Sequence, residues 1–500
     1  MRNHRRLLPS AARAFLPAIV ALAAFPGNAA AQPAEPRVLR ALASAPRFVR
    51  MDADVAGSGV HGTATLLIDR ATGRTLERVV AGPLSTIDGF DGARAWHADA
   101  TGMPMVIGNA EARRDALAWA HLFGRAGPER AIVVPLARRP NGATVRIRYA
   151  GLSGPIDVTL DRRGRVRSVD DETAVDPVRT TFGAFRSVRG VTVPYTIVQS
   201  SPFATWRYHV RAVTFPHDVV AAAFGPPPPP DDVRLSGVAT VPMTLPGETP
   251  VVAIRIGAGP PLHVLLDSGS TNYLIPSAAA RIGLRTVGED KSGGVGPQLV
   301  RERYATVRRV AIGAAVLVNQ PFAVVDDRPG PGIDGAIGQE LLQRLAVAFD
   351  FHRHVVRLAR RAAELGVTGR AIPIDFAPSG PEVAGEVDGL RGAIAIDTGS
   401  GVALDVMSPF VRKHQLARRY RVRRLMTTGS GIGGATVGYF ATARTLRLGG
   451  VTLHDVPMVL DTMTTGALAD PTQLGNLGVP VLRRFTTVLD ERNGRLWLLP

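Results

Sequence analysis

The chain has 500 residues, 45% of them apolar and 20% charged, with a formal charge of +17 and no cysteine. That length is ample for several buried cores, and the lack of cysteine excludes disulfides, thiol catalysis and a lipidated cysteine anchor. The basic charge would suit nucleic acid or an anionic surface, but the arginines are scattered through turns and strands without a nucleic-acid motif or an aromatic-basic platform, so solvated basic faces are expected.

In chain order, Arg2, Arg5 and Arg6 precede an apolar run from Phe15 to Phe25 and then Ala29-Ala30-Ala31. A basic start, a short apolar stretch and small residues mark a secretory signal peptide over residues 1–31, cleaved after Ala31. The run is too short, and too broken by Pro17 and Pro26, to span a membrane. An exported protein, periplasmic or secreted and without a transmembrane anchor, is therefore expected.

Residues 32–224 read as a β-rich domain. Alternating strands such as Thr63 to Ile68 and Val145 to Tyr149 are separated by turn signals at Arg70-Ala71-Thr72-Gly73 and Asp161-Arg162-Arg163-Gly164. One helix is expected over Ala110 to Phe123, with Asn109 as its N-cap. This pattern predicts an antiparallel sheet with one or two helices. Gly89 to Trp96 and Gly190 to Tyr195 are similar to segments of lipoprotein-carrier sheets, a resemblance that implies a lipid or lipoprotein partner. A substrate-docking or folding-assisting sheet without a ligand fits the same residues.

Gly225, five prolines and Asp231-Asp232 follow. A proline run is stiff, extended and unable to join a sheet interior, so residues 225–232 are expected to be a spacer. Residues 233–360 then form a first lobe, with strands at Gly237 to Leu245 and Val251 to Ile256 and a helix at Pro276 to Ile282. Residues 361–381 are less apolar and read as a connection, and residues 382–500 as a second lobe.

The two lobes carry copies of one pattern. Leu262 to Leu266 leads into Asp267-Ser268-Gly269-Ser270, and Ala393 to Ile396 into Asp397-Thr398-Gly399-Ser400. A carboxylate at the tip of an apolar strand is costly unless hydrogen-bonded, and one such copy alone could be an ordinary turn. Both copies, however, are followed by an apolar-glycine run, Gly335-Ala336-Ile337-Gly338 and Gly475-Asn476-Leu477-Gly478. Twelve residues after the last glycine of each run, Asp350 and Asp490 close another apolar strand. The repetition points to internal duplication.

These motifs resemble those of aspartic proteases of the pepsin-like and retroviral (retropepsin-like) type, over about residues 236–500. The resemblance implies a mainly β, bilobal acid-protease fold in which Asp267 and Asp397 form one catalytic dyad and hydrolyse peptide bonds of a polypeptide substrate. It implies that the Ser268 and Thr398 hydroxyls bond across the lobe interface, and that Ser270 and Ser400 support the carboxylates. Two carboxyls about 3 Å apart share a proton, so one can act as base towards water and the other as acid towards the carbonyl. No cofactor or metal is implied. Gly293-Gly294-Val295-Gly296 and Gly431-Ile432-Gly433-Gly434 fall where retroviral-type proteases carry flap tips, and neither has the tyrosine of a pepsin-like flap. Asn476 stands where the family prefers an aliphatic residue, and Gly401 where it often has threonine.

Other chemistries are not supported. Gly429 to Gly434 fits G-x-G-x-x-G but leads into a strand, not a helix. There is no H-E-x-x-H and no G-x-S-x-G elbow, and His352-Arg353-His354 lacks partner ligands. The alternative to an endopeptidase is an envelope lipid- or lipoprotein-binding protein with a degenerate, non-catalytic peptide cleft.

Overall fold

Alternating burial governs the strands that open the described chain: in Phe48–Gly57, Met51, Ala53 and Val55 are buried while Arg50 and Asp54 face water. The structure is a computed structural model, and it describes residues 46–108, 131–139, 142–149, 154–171, 177–327, 329–377 and 380–500. The expected signal peptide and the helix expected over 110–123 lie outside the described residues. The protein is mainly β. Its residues divide into two compact units that meet in sequence at Pro229 and Pro230.

The first unit holds a thirteen-stranded antiparallel sheet. Its expected strands form within Val60–Asp69 and Gly142–Tyr149. Strand partners project to the same side of a sheet, and Leu66, Glu77, Asp88 and His97 are successive partners across four strands. Glu77, Asp88 and His97 are buried, with His97 Nδ1 2.8 Å from Asp88 Oδ1. Burial, together with the Asp88 charge, pushes the Glu77 carboxyl well above its usual range. The buried Tyr208 hydroxyl is pushed up too, by burial and then by the charges of Glu77 and Asp88. A polar stripe therefore crosses an otherwise apolar face.

In the second unit the same pairing scheme appears twice. Pro261–Leu266 runs parallel to Gly335–Ile337, which pairs antiparallel with Tyr273–Leu274, itself parallel to Ala315–Val325. Leu390–Ile396, Gln473–Leu477, Leu404–Val406 and Val451–Asp461 repeat that order and those directions. The two halves join through Ala346–Asp350 and Thr486–Asp490. Ala348 faces Val488, flanked by Val347 with Leu489 and Phe349 with Thr487. These are corresponding positions of the two copies, so the pairing is symmetric about its centre.

Each half adds two further strands to this junction. Ala239–Thr244 pairs with Val355–Ala359 in the first half, and Ile372–Pro373 with Arg495–Leu499 in the second. The segment expected to be a plain connection thus contributes Ile372–Pro373 and also Asp375–Ala377, which pairs with Gly380–Val387. Buried Ala348, Ala359, Leu365, Val488 and Trp497 pack in a cluster at this junction.

Candidate active site

Asp267 and Asp397 each follow an apolar strand whose last backbone position is anchored by the neighbouring glycine-run strand. Asp267 N–H donates to Ile337 O at 3.0 Å, and Asp397 N–H to Leu477 O at 2.9 Å. Both carboxylates are wholly buried. Each turn then folds back on its own aspartate: Gly269 N–H donates to Asp267 Oδ1 at 2.8 Å, and Gly399 N–H to Asp397 Oδ1 at 2.9 Å. Such bonds favour a charge that burial disfavours.

The hydroxyls between these elements bond reciprocally across the two halves. Thr398 Oγ1 donates to Leu266 O at 2.7 Å and accepts from Ser268 N–H at 2.9 Å. Ser268 Oγ donates to Ile396 O at 2.8 Å and accepts from Thr398 N–H at 3.0 Å. Four bonds among buried groups lock the loops in register, each contributing about 1 kcal/mol.

Glycines make the close approach feasible. A side chain at Gly399 would place its Cβ 2.3 Å from the carboxyl carbon of Asp267. A Cβ at Gly338 would fall 2.0 Å from Ser270 O, and one at Gly478 2.1 Å from Val402 O. The glycine runs thus pass directly under the aspartate loops. Ser270 stays with its aspartate, its hydroxyl 3.5 Å from Asp267 O and acting to lower that carboxyl's pKa. The Ser400 hydroxyl lies 3.5 Å from Val402 O and accepts Val402 N–H at 3.2 Å.

The Asp267 carboxyl is held well above its usual range, first by burial and then by the charge of Asp397, with which it is also within hydrogen-bond reach. Among the described residues no N–H donates to Asp267 Oδ2. Asp397 differs: Asn476 Nδ2 donates to its Oδ2 at 2.8 Å. Asn476 is buried, and the corresponding residue of the first half is Ala336, which carries no donor. Sequence reading marked Asn476 only as a departure, because no motif says which way a strand residue points relative to a carboxylate on the next strand.

The glycine-rich tips also meet. Met426–Gly431 and Gly434–Leu448 form a hairpin turning at Ile432 and Gly433, as the sequence expected in place of a dinucleotide loop. Gly433 and Gly434 have φ of +86° and +109°, a region open chiefly to glycine. Gly296 N–H donates to Ile432 O at 3.0 Å and Gln298 N–H to Gly433 O at 3.0 Å. Gly294 O accepts from Ala467 N–H at 2.9 Å. Val295 and Ile432 are fully buried, whereas Gly293 takes no part in these bonds.

Among the described residues no group of three or more His, Asp or Glu side chains is arranged to hold a metal ion, and no helix is long and apolar enough to cross a membrane. Residues 252–341 match the family described as aspartyl protease. The matched region holds Asp267 and the run Gly335 to Gly338, and it supports a protease hydrolase domain acting on polypeptide. No curated protein matches the chain.

Proposed function

We propose that residues 230–500 form a two-lobed aspartic endopeptidase whose dyad is Asp267 and Asp397, in a protein exported by its N-terminal signal peptide. The observation that carries this reading is the reciprocal Ser268 and Thr398 bonding, which presents two buried carboxyls to one another.

The surroundings divide the roles. Asn476 donates to Asp397 and so favours its ionised form. Asp267, raised by burial and by that neighbouring charge, retains the proton. Asp397 then takes a proton from the attacking water while Asp267 gives its own to the carbonyl oxygen, producing a neutral tetrahedral diol. As the C–N bond breaks, a diol hydroxyl returns a proton to Asp267, and Asp397 passes its proton to the departing amine. The dyad ends as it began, and no net charge is created in the buried site. The glycine-rich tips, Gly293 to Gly296 and Gly431 to Gly434, act as paired flaps over an extended peptide.

Digestion of a peptide library by the mature protein across pH tests this reading. Cleavage should follow a bell, lost at low pH when both carboxyls are protonated and lost at high pH when both are ionised. The upper limb should lie above the value of an isolated aspartate, about 3.9. Asp267→Asn and Asp397→Asn should each reduce kcat by about 1,000-fold or more, since the two act as one unit. Near-normal cleavage by either variant would remove the dyad. Tight peptide binding without cleavage by the unaltered protein would favour the non-catalytic cleft instead.

A further inference from the structure

Between Asp405 and Asp455 the chain has no aspartate or glutamate, and residues 412–424 alone carry seven arginines and lysines. These lie on and after two short helices, Ser408–Lys413 and Leu416–Arg419, in the stretch that leads to the hairpin strand Met426–Gly431. All seven are exposed. Among the described residues none of them forms an ion pair with a carboxylate: Arg412 donates to Ser408 Oγ at 3.2 Å, and Arg419 to the main-chain oxygen of Asp388 at 2.6 Å.

A run of like charge is ordinarily a solvated face, but this one is fixed in place and bordered by bare apolar side chains. Asp388 ties it to the sheet. Its carboxylate accepts from Tyr420 OH at 2.6 Å, from Thr445 N–H at 2.7 Å and from Arg444 N–H at 3.2 Å. The basic stretch is thereby held beside the strand Gly434–Leu448, where exposed Phe440, Thr442 and Arg444 alternate with half-buried Ala441 and buried Ala443. Met426 is the partner of Gly438 and so shares a side with Phe440, two residues further on. Leu425, Met426 and Phe440 are 51%, 41% and 47% exposed, and no other phenylalanine among the described residues is exposed. Side chains of this size left in water forfeit the gain of burial.

The fold does not require such a stretch. In the first half the corresponding passage, from the helix Pro276–Arg281 to the strand Val287–Ser292, is shorter and holds two arginines, of which Arg281 pairs with Asp334 at 2.7 Å. Exposed cations are drawn to the phosphates of anionic lipid, each raising partition to the surface about fivefold. Apolar side chains among them enter the boundary between headgroups and acyl chains. An acidic polymer would satisfy the charges but offers the aliphatic Leu425 and Met426 no hydrocarbon.

We propose that residues 412–426, with Phe440 and Arg444, form a peripheral docking surface for an anionic phospholipid bilayer. Met426 begins the hairpin whose tip is Ile432 and Gly433, so docking would set that tip close to the bilayer. Docking is measured without cleavage and stands apart from the proteolytic reading.

Co-sedimentation of the mature protein with vesicles of phosphatidylcholine, alone or with about one-third phosphatidylglycerol, tests it. Binding to the mixed vesicles should be tighter by about tenfold or more and should weaken as salt is raised. Arg421→Gln, Arg423→Gln and Arg424→Gln combined should weaken it by roughly a hundredfold, whereas Arg285→Gln, Arg308→Gln and Arg309→Gln combined, at exposed arginines of the first half, should cost less than about tenfold. Phe440→Ser should weaken binding several-fold at high salt as well as low, as an inserted side chain requires. A cooperative thermal melt checks that each variant is folded. Equal binding to the two kinds of vesicle, or binding to neither, would overturn the proposal. So would equal losses from the two triple changes, since net charge would then suffice. Phe440→Ser without effect would rule out the bilayer and leave an acidic polymer as the partner, to be measured with poly-glutamate and single-stranded DNA.

Discussion

At Asn476 the two halves differ in what they offer the paired aspartates. Its amide donates to Asp397 Oδ2, whereas Ala336 offers nothing to Asp267. A donor held on a carboxylate lowers the pKa of the step that ionises it. Replacing Asn476 with leucine, which keeps the branched shape but has no donor, should therefore raise that step and move the acid limb of the cleavage profile upward by roughly one pH unit. The measurement is kcat/KM against pH for Asn476→Leu and the unaltered protein. An unmoved acid limb would mean that the charge sits on Asp397 for another reason. The aspartates themselves were legible from sequence, since an ionisable residue at the end of an apolar strand is conspicuous twice over. Asn476 was not, because its meaning lies in the strand beside it.

At the scale of elements, the two hairpin tips depend on backbone approach. A Cβ on Gly296 would lie 2.2 Å from the carbonyl carbon of Gly433, and one on Gly294 2.5 Å from Ile432 O. Neither backbone can yield without losing the bonds from Gly296 N–H to Ile432 O and from Gln298 N–H to Gly433 O. Gly296→Ala should therefore hold the tips apart, raising KM several-fold while kcat falls less, because the aspartate loops are untouched. Steady-state kinetics on one peptide separate the two effects, and an unchanged KM would show that the tips do not govern substrate entry. Glycine richness announced these tips, but not that they bond to each other. The segment 361–381 shows the same limit: its modest hydrophobicity read as a connection, yet Ile372–Pro373 and Asp375–Ala377 complete sheet edges. Strands of two or three residues are too short to show a period.

For the whole molecule, the boundary of the second unit falls before Val233. Asp232, read as the end of the spacer, pairs with buried Arg344 at 2.8 Å and accepts from Gln320 Nε2 at 3.0 Å. Removing one partner of a buried pair costs about 3 kcal/mol or more, because the other charge is left uncompensated. A chain of residues 230–500 should fold alone and cleave a short peptide with the same pH bell as the full protein. A chain begun at Val233 should be less stable by about that amount, as read from urea unfolding. Loss of folding or of peptide cleavage in the longer of the two would make the N-terminal sheet part of the catalytic unit.

Local order and composition are enough to determine the mainly β character, the strands at Val251–Ile256, Ala346–Asp350 and Thr486–Asp490, and the duplicated aspartate loops, because alternation, turn residues and repeats act over a few neighbouring positions. What lies between chain segments was decided only by tertiary structure. Ser268 meets Thr398 across 130 residues, and Asn476 meets Asp397 across 79, in a sheet whose register no single strand contains. A one-residue slip in that register would turn every one of these side chains to the other face, which is why the residues were visible in the sequence and their alliances were not.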